Sequence, residues 1–340
     1  GLWARPVFFP PEMGSFSRLP EHQVHGTYLP MQQRIIPYGW SGLDRADHLR
    51  DDAAWLDQQL QHSETRIYPL WQSRSLFTGV DGHQPRAVPL EADSLDLLRR
   101  LGGEPLFLGL QEGCACFAVD LVNLQDPEQE PELASRGTFA DLRAVGMLLP
   151  PAEGALLAHA RALTFWNLRH RFCGVCGAPT VMRRGGNQRQ CSDEKCQVPQ
   201  FPRMDPAVIM LVHDGGDRCV LGRQKVWRAG MHSTLAGFVE PGEALEEAVA
   251  REVAEEVGLE IQEATYFSSQ PWPFPSSLML GFHARAEFRP LRVQPEELES
   301  ARWFSRKEIL ESPEDETFHL PRRDSISYRL IQAWLHDGAC

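Results

Sequence analysis

No run of about 18 apolar residues occurs in this 340-residue chain, so no transmembrane helix is expected. The N-terminus shows no basic segment leading into an apolar stretch, so no secretory signal is visible, and the last residues carry no peroxisomal tripeptide. Positive charge is in deficit: 46 acidic residues against 34 Lys and Arg leave a net charge of −12. That balance argues against general nucleic-acid affinity by bulk electrostatics. Nor is there a disulfide framework. Of eight cysteines, four cluster, while Cys114, Cys116, Cys219 and Cys340 are scattered. A reducing, cytoplasmic setting with no membrane partner is the expectation.

What is present is a soluble globular composition, 42% hydrophobic and 24% charged, with length for two or three domains. The chain is organised around Gly237 to Leu259, GFVEPGEALEEAVAREVAEEVGL. From Glu243 to Val257 the pattern predicts a helix, with acids in its first turn and Gly258 at the C-terminal cap position. On a wheel of about 100° per residue, Leu245, Val249, Glu252 and Glu256 share an arc, with Glu255 beside them and Arg251 next to Glu255. Carboxylates at this spacing repel, and lying beside Leu245 and Val249 draws them toward buried surface, where an unpaired charge is costly. A hard divalent cation, Mg²⁺ or Mn²⁺, would resolve the conflict and keep waters for substrate phosphates. The plainer alternative is a Glu-rich surface helix.

Before this stretch, residues 1–35 read as an N-terminal arm without periodicity and 36–150 as a mixed α/β domain. In the latter, helices are predicted over Leu43–Leu60, Ser94–Leu101 and Thr138–Leu149, and strands over Arg66–Leu70, Ser75–Thr78, Ala87–Pro89, Pro105–Gln111 and Ala115–Leu121. Asp126–Gly137 reads as a charged loop. A connecting helix (151–171) carries a stripe of Leu156, Leu157, Ala160, Leu163 and Leu168. Cys173, Cys176, Cys191 and Cys196 (ribbon, 172–200) have the spacing of a four-thiolate zinc ribbon, a closed structural site; four buried free thiols are the alternative. Every charged side chain from Arg161 to Gln190 is an Arg, which reads as a solvated ribbon surface or as an RNA contact. The last segment (201–340) alternates strands and helices around the acidic stretch, including strands over Ile261–Phe267 and Leu278–Phe288 and a helix over Asp324–His336. Ser269 to Ser277, SQPWPFPSS, reads as a loop stiffened by three prolines, with Trp272 and Phe274 as apolar faces and Gln270 and the serines as hydrogen-bonding groups. Such a loop suits a flat heteroaromatic ligand; a packing loop is the alternative.

Gly237, Glu243 and Arg251-Glu252-Val253-Ala254-Glu255-Glu256-Val257-Gly258-Leu259 match the Nudix box, and the chain resembles the Nudix hydrolases. The SQPWPFPSS segment, the four-Cys ribbon, FPRMDP (201–206) and LDRADHLR (43–50) together resemble the NADH pyrophosphatase subfamily. The resemblance implies an α+β fold: a Nudix αβα sandwich preceded by a zinc ribbon and an N-terminal Nudix-like α/β domain. It implies cleavage of the diphosphate of NADH and NAD⁺ to nicotinamide mononucleotide and AMP, removal of NAD caps from RNA 5′ ends, and a homodimer with a shared pocket. The alternatives are a diphosphatase for ADP-ribose or a dinucleoside polyphosphate, or a non-catalytic nucleotide- or RNA-sensing ribbon protein. By resemblance, Glu252, Glu255, Glu256, Glu297 and the Ala236 carbonyl hold two or three Mg²⁺ or Mn²⁺ ions, one Zn²⁺ sits on the four cysteines, and Arg251 supports the carboxylates. Glu255 is taken as the general base. Gln270, Pro271, Trp272, Pro273, Phe274, Pro275, Ser276 and Ser277 would line the substrate pocket with Phe238 against the nicotinamide. Phe201 stands where the subfamily usually has a Tyr, and Ser327 where it often has Ala.

Overall fold

A computed structural model describes residues 36–82 and 84–336; the expected arm at 1–35 lies outside the described residues. The first half contains α1 (Ala53–Leu60), β1 (Arg66–Trp71), β2 (Arg74–Thr78), β3 (Arg86–Ala87), α2 (Leu95–Leu101), β4 (Leu106–Gln111), β5 (Cys114–Asp120), α3 (Pro131–Ala134), β6 (Thr138–Ala140) and α4 (Leu142–Val145). Its strands order as β3-β2-β1-β5-β4, with β6 on β2 and a parallel β1–β5 pair at the centre. Helix α5 (Pro151–Arg169) leads into a three-stranded ribbon sheet, β7 (Thr180–Arg183), β8 (Gln188–Cys191) and β9 (Pro199–Gln200). The second half contains β10 (Asp205–His213), β11 (Arg218–Arg223), β12 (Leu235–Phe238), α6 (Leu245–Val257), β13 (Ile261–Trp272), β14 (Ser277–Ala286), β15 (Ser300–Ser305), α7 (Arg306–Leu310) and α8 (Ile326–His336).

The second sheet orders as β13-β14-β10-β11-β15, again about a parallel pair, β10 with β14, and β12 also pairs with β10. Strand β10 is buried on both faces, which is why its sequence is a continuous apolar run rather than an alternation. One face takes Ala248, Val249, Val253 and Val257 of α6 against Val208, Met210, Val212 and Phe282. The other takes Ile326, Leu330, Ile331 and Trp334 of α8 against Ile209, Leu211, Leu221 and Phe304. This is the αβα arrangement. Each fully buried Val of α6 contributes about 1.5–3 kcal/mol, which outweighs the few tenths lost to neighbouring like charges on the same helix. The two large sheets share one plan, but α2 carries a single acid, Asp96, where α6 carries five.

Several sequence expectations require correction. Leu43–Leu60 is not one helix: Ala46 adopts a left-handed conformation, a 3₁₀ turn covers Asp47–Leu49, and Asp52 caps α1 by accepting from Trp55 N. Thr138–Leu149 is a strand, then a short helix. Gly137 lies so close to Phe77 O that a Cβ there would sit 2.2 Å from it, which lets β6 pair with β2, and the Asp141 side chain then caps α4. Asp126–Gly137 contains two short helical segments rather than loop alone. Leu168 is exposed while the rest of its stripe is buried. Helix α6 begins two residues later than expected, with Glu243 outside it. Most of SQPWPFPSS is strand: β13 runs through Trp272, β14 starts at Ser277, and only residues 273–276 turn. An edge strand tolerates Pro271, which is why proline did not end β13 earlier.

The two halves meet at that hairpin. Trp272 and Phe274 pack on the first core, and the Tyr38 ring stands edge-on to both, at 6.0 and 5.6 Å between centroids. Arg161 Nε donates to Pro273 O at 2.8 Å. Ile36 is buried in the α8-side core. Among the described residues, no helix is long and apolar enough to cross a membrane.

Candidate active site and zinc ribbon

Gly237, on β12, has no room for a side chain: a Cβ there would lie 1.8 Å from Cδ of Glu252. The glycine of the motif is therefore a seat for a carboxylate. Helix α6 places Glu252 and Glu256 one turn apart on its buried side, and Gly258, at φ 69°, ends it in the left-handed cap the sequence predicts. Past the cap, the chain turns back onto the helix end, Arg292 N donating to Val257 O and Gln294 N to Glu256 O, each at 2.9 Å. That return brings up Glu297. Carboxylate oxygens of Glu252, Glu256 and Glu297 all lie within 4.8 Å of one another.

Such a cluster is unstable as three anions. Burial, then Glu252, Glu297 and Glu255, pushes the Glu256 carboxyl up to about 8, and burial raises Glu252 although Arg251 opposes it. Glu256 Oε2 is buried with no hydrogen-bond partner among the described residues. An orphaned oxygen beside two further carboxylates fits a hard divalent cation, and Glu252, Glu256 and Glu297 could hold one. Glu255 points to the exposed side and is not in this group.

Arg251 ties the surroundings together. It donates through Nη1 to Glu252 at 2.9 Å and Glu255 at 3.0 Å, through Nε and Nη2 to Glu243 at 2.5 and 3.0 Å, and through Nη2 to Phe238 O at 2.9 Å. Glu243 is held down at about 2, chiefly by Arg251. The motif's first Glu is thus an anchor for the arginine that orients the others.

Beside Glu256 opens a cavity of about 470 Å³. Of the residues singled out in the sequence, Ala236, Glu256, Gln270, Trp272 and Ser327 line it. Pro271, Pro273, Phe274, Pro275, Ser276, Ser277, Phe201 and Phe238 are not among its lining residues. Phe274 packs on the first half, Ser276 donates to Asp205 at 2.8 Å, and Phe201 and Phe238 are 60% and 61% exposed. Gln270 is fully buried and spent on structure: its Nε2 donates to Asp324 O at 2.6 Å and Pro37 O at 3.1 Å, and its Oε1 accepts from Ile326 N at 2.8 Å, the start of α8. Ser327 Oγ lies 2.8 Å from both Ser233 Oγ and Thr234 Oγ1, tying α8 to the loop before β12. Sequence reasoning missed the loop residues Trp227, Arg228 and Met231, the α8 approach with Arg322, and Arg143 from the first half. Only the aromatic and cationic character of Trp227-Arg228 offered a signal; the others arrive through tertiary contacts.

In the ribbon, the four cysteine sulfurs lie within 4.8 Å of one another, with Cys173–Cys196 at 3.8 Å and Cys176–Cys191 at 3.4 Å. A tetrahedron with Zn–S bonds of about 2.3 Å has edges of about 3.8 Å, so the thiols fit zinc. Hydrogen bonding from the Cys176 and Val175 backbone lowers Cys173, while burial raises Cys191 beside it, so the four thiols do not share one proton affinity. Half of the arginine strip is engaged internally: Arg184 pairs with Asp47 and Asp51, Arg161 with Asp141, and Arg189 binds Thr180 and Asn167, while Arg169, Arg171 and Arg183 are exposed.

Replacing Gly237 with Ala must displace the Glu252 carboxylate. Mn²⁺ affinity measured by calorimetry should fall at least about tenfold with far-UV CD unchanged, and wild-type affinity in the variant would contradict the packing argument.

Three domain profiles match the chain: a NUDIX domain at residues 203–325, an NADH pyrophosphatase-like rudimentary NUDIX domain at 64–166, and an NADH pyrophosphatase zinc ribbon domain at 168–201. The chain is 36% identical over 307 residues to the NAD-capped RNA hydrolase NudC of Mycobacterium bovis, covering 86% of this chain and 92% of that protein. It is 41% identical over 197 residues to the human NAD-capped RNA hydrolase NUDT12, and 42% to that of Macaca fascicularis, but the matched part spans only 43% of either protein. With a rudimentary Nudix fold, a zinc ribbon and a full carboxylate set in sequence order, the chain belongs to the NADH pyrophosphatase family of Nudix hydrolases.

Proposed function

We propose that the protein hydrolyses the diphosphate of NADH and NAD⁺ to nicotinamide mononucleotide and AMP, and removes NAD caps from RNA 5′ ends by the same reaction. The observation that carries this reading is the adjacency of Glu256, with its unpartnered buried oxygen, to a cavity walled by Trp272. A cation-holding edge and an aromatic-walled space are what a dinucleotide requires at its diphosphate and at one of its bases. Relatives named NAD-capped RNA hydrolases support the cap reading.

In this reading Glu252, Glu256, Glu297 and the Ala236 carbonyl would hold two or three Mg²⁺ or Mn²⁺ ions, with Glu255 joining from the exposed side. Bound there, the ions would neutralise charge developing on the diphosphate oxygens and acidify a coordinated water. Arg251 holds Glu252 and Glu255 in place through Nη1. Glu255, exposed beside Arg251, would take the proton from the attacking water. Trp272 and Ser327 shape the space for the nucleotide, and Gln270 acts behind the wall by fixing the start of α8. The cysteines hold one structural Zn²⁺. The homodimer is carried over from the family resemblance, with the exposed Phe201 and Phe238 taken as contacts between its two copies.

Incubation of NADH with the protein and Mn²⁺, followed by chromatography, should yield NMNH and AMP; intact NADH would overturn the reading. Glu255→Gln should leave folding and nucleotide binding in place and lower kcat at least about a hundredfold. Undiminished turnover would remove Glu255 as the base.

The elevated Glu256 carboxyl sets a pH dependence. Its native form keeps a proton that the unfolded chain has already released, so its contribution to stability is greatest at low pH and is lost as pH rises through about 8. Metal-free protein should therefore lose more Tm between pH 5.5 and 8.5 than Glu256→Gln does. Mn²⁺ should bind more tightly at the higher pH and release a proton, which calorimetry in buffers of different ionisation enthalpy would detect. Equal Tm slopes in the two proteins would contradict it.

Light scattering should give a dimer mass, and Phe201→Asp with Phe238→Asp should shift it to monomer. A wild-type monomer at micromolar concentration would refute the dimer.

A further inference from the structure

Two guanidiniums with different supports line the cavity that Trp272 walls. Arg322 is fixed by a fork of bonds to Asp324, Nε to Oδ1 at 3.0 Å and Nη2 to Oδ2 at 2.7 Å. Asp324 is itself 3% exposed, receives the Tyr38 hydroxyl on Oδ2 at 2.9 Å, and gives its main-chain oxygen to Gln270. Burial beside a carboxylate keeps Tyr38 protonated and therefore a donor. The fork uses two of the five guanidinium N–H groups, leaving three with no other side-chain partner among the described residues. Arg143 reaches the same cavity from the first half, with its guanidinium 5.9 Å from the Trp272 ring centroid and 5.4 Å from that of Phe274. Among the described residues, no carboxylate lies within ion-pair distance of its side chain.

Neither arginine is needed to neutralise the diphosphate, which faces the carboxylate cluster and the cations those side chains are suited to hold. Asp324 cancels the charge of Arg322 but sharpens its direction, and Arg143 supplies uncompensated charge. A directed fork and a ring-stacked guanidinium lining the same cavity, in a chain of net charge −12, make a receptor for an anion.

We propose that Arg322 and Arg143 form a subsite for a second oxyanion on the substrate, outside the diphosphate, and that Asp324, braced by Tyr38, is the positioning residue for Arg322. The shared chemistry is a fixed oxyanion: a ribose phosphate or an aromatic carboxylate. This rests on the dinucleotide reading above and specifies which dinucleotides that site prefers.

The test compares kcat/KM for NAD⁺, NADP⁺ and nicotinic acid adenine dinucleotide in the wild type and in Arg322→Met, Arg143→Met and Asp324→Asn. For at least one of the two charged analogues, the ratio to NAD⁺ should fall at least about tenfold in the arginine variants and in the same direction in Asp324→Asn, and Arg322→Lys should not restore it. Loss on NADP⁺ assigns the subsite to a ribose phosphate, and loss on the nicotinate dinucleotide assigns it to the ring carboxylate. Ratios unchanged within twofold, or a wild type that cleaves NAD⁺ and rejects both analogues, overturn the proposal. Calorimetry without turnover separates it from the activity: wild type should bind adenosine 2′,5′-bisphosphate more tightly than AMP, or nicotinate mononucleotide more tightly than nicotinamide mononucleotide, with the preference lost in Arg322→Met. If NAD⁺ is not cleaved but this preference appears, the subsite stands and the hydrolase reading falls. If neither pair is discriminated, the subsite falls.

Discussion

The structure depends on keeping negative charge where negative charge is unfavourable. Glu252 and Glu256 sit on the side of α6 that also carries its core valines, so the packing that holds the helix to the sheet also buries the two carboxyls. Three features make this tolerable. Gly237 gives up its side chain so that Glu252 fits against β12. Arg251 spans Glu243, Glu252, Glu255 and a main-chain carbonyl, with Glu243 lying outside the helix to receive it. Glu256 Oε2 meets no donor among the described residues, and burial beside Glu252 and Glu297 raises its proton affinity. A buried carboxyl in that state binds either a proton or a cation, and this choice links the fold to the chemistry.

The first half of the chain repeats the strand plan of the second without the carboxylates, and its contribution is positional. It provides the core on which Trp272 and Phe274 rest, the Arg161 bond to Pro273 and the Tyr38 bond to Asp324. Gln270 joins the same seam by bridging residue 37 to the start of α8. The cavity wall therefore belongs to no single domain. The zinc ribbon lies between the halves in sequence, and Asn187 and Arg184 bind it back to Phe107 and Asp47 of the first half.

Local elements were legible in the sequence where one physical pattern acted alone. Helix α6 shows a 3.6-residue period and a glycine cap, β10 an unbroken apolar run, and the cysteines a metal spacing, and apart from the later start of α6 each stands as read. Legibility failed where tertiary contact overrode local preference. Thr138–Leu149 has helical composition, yet Gly137 docks on β2 and draws the next residues into a strand. The prolines of 271–275 suggested a loop, but an edge strand has no use for every N–H and continued through Trp272. At the site, Glu252 and Glu256 were readable because they share one helix, while Glu297, on the chain that returns past the cap, came from the family resemblance alone. Arg143 and the Asp324–Tyr38 pair were not, because 286 residues separate that bonded pair and no local periodicity records such a contact.

Pro271 has one more consequence. A long strand at a sheet margin ordinarily offers a ladder on which another extended chain can grow, the first step toward fibrous association. A proline removes one rung of that ladder, and the ring-rich turn that follows is folded against the first half. The segment that gives the cavity Trp272 thus also blunts the margin against unwanted polymerisation.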